Sequence, residues 1–191
     1  MILENEQQKA SRYLSKFAQM IRVTVNQSKE LFTTIYENIE HLENYLIMEK
    51  LRFDDSFSYS ITFDDHIDKE DTLIPTLMIQ PLAENAIWHG LMQKKGEKNL
   101  SIHFSQVNGT ITCCVEDNGI GIKKAQQIKQ QNKTGYQSVG LSNLRNRIKI
   151  MNEKYGTRCT LDICDLMEFD ENKTGTCATL EFTIINNKPR L

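Results

Sequence analysis

Apolar residues recur every three or four positions over the first fifty residues of the chain. Leu14, Phe17, Ala18, Ile21 and Val25 form one stripe, and Leu31, Ile35, Ile39, Leu42 and Leu46 form a second. Such spacing puts apolar side chains on one face of a helix. Residues 5–52 hold neither Pro nor Gly, so the pattern predicts two amphipathic helices, with Ser28 as the cap between them. Two such stripes need a surface to cover them, and two destinations stay open: another chain, or the rest of this one.

The period changes after Arg52. Phe57, Tyr59 and Ile61 alternate with serines, which reads as a strand with one buried face. A polar loop, "DDHIDKED", precedes a helix predicted over 76–91. Residues 101–107 and 110–115 alternate again, and the Asn108-Gly109 pair between them is hairpin-turn chemistry. Residues 123–138 are rich in Lys and Gln and poor in apolar side chains. A helix follows from Val139 to a stop at Gly156, and strands are predicted at 158–166 and 176–185. Strands with segregated helices predict an α+β fold: one mixed sheet with helices on one face.

Composition narrows the function classes. The chain has 191 residues, 39% of them hydrophobic, enough for one domain with a real core plus an appendage. Lys and Arg number 23 against 25 Asp and Glu, so no basic surface for nucleic acid or an anionic membrane is indicated. No apolar run approaches the ~18 residues of a membrane span, and the N-terminus lacks a secretory pattern. Five cysteines, none in a CxxC pair, indicate neither a disulfide framework nor a zinc knuckle. Buried reduced thiols and a cytoplasmic setting are expected.

The stretch "PLAENAIWHG" (81–90) sets Glu84 and Asn85 in mid-helix. Asn is a poor interior helix residue because its side chain competes for backbone hydrogen bonds, so its position asks for a purpose. "EDNGIGI" (116–122) carries a GxG after a strand, but the Rossmann fingerprint needs a third Gly where Lys124 stands. Gly135 and Gly140 are spaced as in a P-loop, but Leu141 replaces its Lys. Both common nucleotide fingerprints are therefore absent.

The order of the pieces is more specific than any one of them. A Glu-Asn helix, a hairpin ending in Asp-x-Gly-x-Gly, a polar stretch, a Gly-Leu opening a helix, and a late Gly175-Thr176 resemble the Bergerat-type (GHKL) ATP-binding fold. Histidine kinases, gyrase-type ATPases, chaperones of the heat-shock ninety class and mismatch-repair ATPases share it. The resemblance covers roughly residues 55–187 and implies a two-layer α/β sandwich with a mixed sheet, preceded by the amphipathic helical segment. Within the fold, "IEHLENYLIMEKLRF" (39–53), "IPTLMIQPLAENAIWHG" (74–90), "VEDNGIGI" (115–122), "VGLSNLRNRI" (139–148) and "GTCATLEFTI" (175–184) are similar to LytS-type sensor histidine kinases.

That resemblance implies roles. Asp117 would accept from the amine of adenine, Gly119 and Gly121 would let the backbone approach base and sugar, and Ile122 would adjoin them. Asn85 would bind Mg2+ through its amide oxygen, with Glu84 beside it as a second catalytic group. His89 would lie on the same nucleotide-facing helix. Gly140 and Leu141 would open a helix toward the phosphates, and Thr176 would hydrogen-bond Asp117. Lys123, Lys124, Lys129 and Lys133 would belong to a lid over 123–138. Arg145 and Arg147 are expected at the surface or in salt bridges. Gyrase-like enzymes keep a water-activating Glu where this chain has Pro81, so phosphoryl transfer to an imidazole is expected rather than hydrolysis. Trp88 and Ser138 depart from the family pattern, which commonly has Lys and Gly there.

The implied organisation is a helical segment at 1–53 and an ATP-binding catalytic domain at 54–191. The family's phosphoacceptor motif lies ahead of the first helix, and His41, His66, His89 and His103 do not replace it. A piece of a longer, membrane-bound kinase is expected, with this segment itself making no membrane contact. It would use ATP and Mg2+, form a homodimer in the parent and pass phosphate to a response regulator. The alternative is a non-catalytic or serine-directed ATP-binding module, anti-sigma-like, on the same fold.

Overall fold

A computed structural model describes residues 2–27, 30–131 and 139–183. In chain order the elements are α1 (Ile2–Gln27), β1 (Phe32–Thr34), α2 (Ile35–Arg52), β2 (Ser58–Phe63), β3 (Leu73–Pro75), α3 (Gln80–Asn85), β4 (Asn99–Val107), β5 (Thr110–Asp117), α4 (Ile122–Gln131), α5 (Val139–Tyr155), β6 (Cys159–Asp165) and β7 (Thr176–Thr183). β1 and β3 pair as a small antiparallel ribbon, and the other strands form a five-stranded sheet in the order β2-β4-β5-β7-β6. Only the β2–β4 pairing is parallel, so the sheet is mixed.

The strand period of two builds the core. Leu100, Ile102 and Phe104 of β4, Ile111, Cys113 and Val115 of β5, and Ala178, Leu180 and Phe182 of β7 are all buried. Leu82, Ala83, Ala86 and Ile87 from the α3 region, and Leu144, Ile148 and Met151 from α5, join them in one cluster. The alternate residues, such as Ser101, His103, Cys114, Glu116, Cys177 and Glu181, form a more open outer face. Asn108 and Gly109 both have positive φ, 50° and 76°, as the tight hairpin turn requires.

Two boundaries differ from the sequence pattern. α2 starts at Ile35, capped by Thr34, and Ser28 lies outside the described residues. Thr34 accepts from the Glu37 amide while Glu37 accepts from the Thr34 amide, a complete capping box. The preceding Phe32–Thr34 instead pairs with β3. The helix expected over 76–91 starts only at Gln80, because Leu77 has φ +56°, outside the right-handed helical region. The Thr76 amide donates to the Leu31 carbonyl and the Leu77 amide to Asn38 Oδ1. Pro81 then sits in the first turn, where its missing N–H costs nothing.

These same bonds dock the helical segment on the sheet domain. Ile35, Leu42, Tyr45 and Leu46 of α2 lie in the common core. The α1 stripe does not: Leu14, Phe17 and Ile21 are 64%, 42% and 46% exposed. One stripe thus found its own chain and the other faces outward.

Candidate functional site

The Glu84-Asn85 stretch lies where the helix changes its winding. α3 ends at Asn85, and Ala86–Gly90 continues as a single π-helical turn before a short 3-10 turn at Leu91–Gln93. π turns widen a helix locally and concentrate at functional sites. Leu82, Ala83, Ala86 and Ile87 hold one side of this segment in the core. Asn85 and His89 project from another side into a cavity of about 310 Å3. Gly121, Ile122, Leu141, Arg145 and Thr176 also line it. Of the residues singled out from the sequence, the fold therefore gathers Asn85, His89, Gly121, Ile122, Leu141 and Thr176 around one space.

Asp117 ends β5 beside this cavity and is only 1% exposed. The Thr176 hydroxyl donates to Oδ2, and the Gly119 amide donates to Oδ1 at 2.7 Å. Burial pushes the Asp117 carboxyl above its ordinary value, despite these hydrogen bonds, which pull it down. Strand register accounts for the arrangement, since Asp117 and Thr176 are directly opposed on β5 and β7.

Two glycines leave room for this carboxylate. A Cβ on Gly119 would stand 2.4 Å from the Gly90 carbonyl carbon and 2.5 Å from Asp117 Oδ1. A Cβ on Gly90 would stand 2.5 Å from the same Oδ1. Gly121 has φ +77°, and a Cβ there would meet Asp165 Oδ2 at 2.8 Å. An added side chain at either glycine would therefore meet protein atoms, while Gly121 itself also lines the cavity. Gly140 is different: a Cβ there would meet only Pro81 Cβ, at an ordinary 4.0 Å.

Asp165 escaped the sequence reading. It is buried, and its Oδ2 accepts from the Ile122 amide at 2.8 Å and the Lys123 amide at 3.4 Å. It therefore satisfies the first donors of α4 from β6, some forty residues later in the chain. Nothing local in "DICDLME" signals this. Arg145, expected at the surface or in a salt bridge, is turned to the cavity by its place one helical turn after Leu141.

Other expected residues fall elsewhere. Glu84 is exposed and does not line the cavity; its charge helps raise the pKa of Tyr45 and Glu49 on α2. Residues 122–131 of the expected lid are helical, with Lys123 and Lys124 exposed. The Lys129 side chain and all of Lys133 lie outside what is described. Trp88 packs at the end of α2, edge-on to Phe53 at 5.2 Å and under the Arg52 guanidinium at 4.4 Å. The cysteines divide by face: Cys113 and Cys159 are buried as expected, but Cys114, Cys164 and Cys177 are only half-buried.

Comparison with known proteins agrees with this layout. The family described as histidine kinase-, DNA gyrase B-, and HSP90-like ATPase matches residues 70–185. The histidine kinase family matches residues 1–57. Sensor histidine kinase YesM of Bacillus subtilis is 30% identical over 155 residues, 81% of this chain and 26% of YesM. Sensor protein LytS of Oceanobacillus iheyensis is 28% identical over 153 residues, 77% of this chain and 26% of LytS. The chain thus spans about a quarter of the length of these relatives. Among solved structures, the Acinetobacter baumannii histidine kinase AdeS superposes with TM-score 0.54 at 13% identity, over 98% of this chain and 86% of AdeS. The mycobacterial sensor histidine kinase MprB gives 0.52 at 13% identity, over 80% of this chain and 96% of MprB. At such identity these two likenesses show the fold alone.

Proposed function

This chain belongs to the histidine kinase-, DNA gyrase B-, and HSP90-like ATPase family, and on that premise we propose that it is the ATP-binding catalytic portion of a two-component sensor histidine kinase. The observation that carries the reading is Asp117: a buried carboxylate, oriented by Thr176 and Gly119, beside a cavity bounded by Asn85 and His89. A buried acceptor of this kind selects a ligand edge that offers a donor, as the adenine amine does. The volume, about 310 Å3, suits a nucleoside-sized group.

Asn85 supplies a neutral amide oxygen, a hard ligand of the sort Mg2+ takes beside phosphate oxygens. When bound, that ion would neutralise charge on the phosphates. Arg145, at the cavity wall, adds a cation on the same side, and the first turn of α5 presents amides there. The receiving imidazole nitrogen forms the new bond to the γ-phosphorus, and the bond to the ADP oxygen breaks. This chain's share is positioning and charge neutralisation. Glu84, exposed next to Asn85, is the group proposed to take the proton of the attacking histidine.

The family match over residues 1–57 supports a kinase over an anti-sigma-like module. The exposed stripe on α1 supports a homodimer in the parent protein, and a response regulator would be the next phosphate acceptor. Calorimetric titration tests the site: the wild-type chain binds ATP with Mg2+, and Asp117→Asn loses at least tenfold in affinity. Equal affinities would sink the assignment. The kinase reading is tested by joining the chain to an upstream segment of a LytS-type relative. Labelled ATP should give acid-labile phosphohistidine, and its absence would reject transfer.

A further inference from the structure

The outer face of the sheet, away from the cavity, carries a second cluster of reactive side chains. Cys114 and Glu116 lie two apart on β5, so both point outward. Glu116 is directly opposite Cys177 on β7, and Cys114 is its diagonal neighbour. The Cys114 and Cys177 sulfurs are 2.7 Å apart, and the two sulfurs and a Glu116 oxygen all lie within 4.8 Å of one another. All three residues are half-buried, hence reachable from solvent yet partly shielded. The geometry points to a binding site for a thiophilic divalent metal ion of the Zn2+ class, held by Cys114, Glu116 and Cys177 with water in the remaining position.

Three features favour a metal over the alternatives. Ligand bonds of about 2.3 Å to sulfur and 2.0–2.2 Å to oxygen bring donors on one ion to roughly 3–4 Å from each other, a spread these atoms span with small side-chain rotations. A disulfide between these sulfurs, 2.7 Å apart, would need a two-electron oxidant, whereas metal binding needs none. Two thiolates and a carboxylate also give the soft, anionic donor set that separates Zn2+ from Mg2+. Binding releases thiol protons to solvent, with no change of oxidation state. Cys164, directly opposite Cys177 on β6, turns its thiol toward the Cys177 carbonyl at 3.4 Å and stays outside the ligand set.

Cobalt titration of the reduced, metal-free chain provides the test, since Co2+ takes the same ligands as Zn2+ and reports them by colour. The expected result is a one-equivalent endpoint with sulfur-to-cobalt charge-transfer absorption, abolished by Zn2+. Cys114→Ser and Cys177→Ser should each roughly halve that absorption and weaken binding at least tenfold, and Glu116→Gln should weaken it severalfold. Cys164→Ser should leave both unchanged. Zn2+ should raise the melting temperature of the wild type but not of the Cys114→Ser/Cys177→Ser double variant, whose circular dichroism establishes that it folds. No charge-transfer band at one equivalent, a band untouched in Cys177→Ser, or a band lost in Cys164→Ser would overturn the site. These readouts need no nucleotide, so their failure leaves the reading of the cavity standing.

Discussion

Asp117 shows how much one buried carboxylate asks of its neighbours. Its two oxygens are contacted by Thr176 and Gly119, and two glycines leave room for it. Gly119→Ala must push Asp117 or the Gly90 backbone aside, at a cost of about 1–3 kcal/mol, the usual range for overpacking. The expected result is a melting temperature lower by several degrees together with weakened ATP binding. A variant as stable as the wild type would mean that the backbone there yields freely. Thr176→Val removes the hydroxyl donor and keeps the shape, so the Asp117 carboxyl should rise further. ATP affinity in the wild type should fall on acidification at a higher pH than for an ordinary aspartate, and in Thr176→Val at a higher pH still. Overlapping pH profiles would refute the link. The place of Asp117 at the end of a strand was legible from "EDNGIGI" because turn glycines after a strand are a local pattern. Asp165 was not legible, because its partners at the start of α4 become neighbours only through the sheet.

At the scale of elements, the contact of α2 with α3 is unusual in its polarity. His41 pairs with Gln80 at 2.8 Å, and Tyr45 and Glu49 continue the same helical face at intervals of four. His41 Nδ1, the Tyr45 hydroxyl and Glu49 Oε2 are buried and find no hydrogen-bond partner among the described residues. Burial, first, and the Glu84 charge raise the Glu49 carboxyl, while Arg52 pulls the other way. A carboxyl raised on folding favours the folded state below its unfolded value of 4.5, and that contribution is lost as pH rises through the folded value. Glu49→Gln should therefore be more stable than the wild type at neutral pH, by about 1 kcal/mol or more. The gap should close below pH 4.5, as thermal melts across pH would reveal. An equal gap at every pH would exclude ionisation as the cause. Leu46→Ala in the apolar part of the same face should cost about 2–5 kcal/mol, because Leu46 is fully buried. Periodicity located these helices correctly but not their ends: the Thr34–Glu37 capping box is local, but the strand before it depends on a partner forty residues away.

At the scale of the molecule, the two amphipathic stripes part company. α2 completes the domain core, and α1 shows Leu14, Phe17 and Ile21 to the outside. Ile21→Glu should leave the melting temperature within a degree or two and reduce any self-association seen by sedimentation. A large loss of stability would mean that the stripe is packed within one chain. Among the described residues no helix is long and apolar enough to cross a membrane. By itself the sequence determined the alternation that builds the sheet, the helical stripes, and the ordered motifs that mark the ATP-binding family. Those features are local, written in periods of two and 3.6 and in turn chemistry. Only the tertiary structure decided which stripe is covered, that Glu84 stays outside the cavity while Arg145 enters it, and that Asp165 caps α4. It also brought Cys114 and Cys177 together, cysteines that no spacing rule would pair. Strand register and helix docking set those contacts, and both are sums over the whole core.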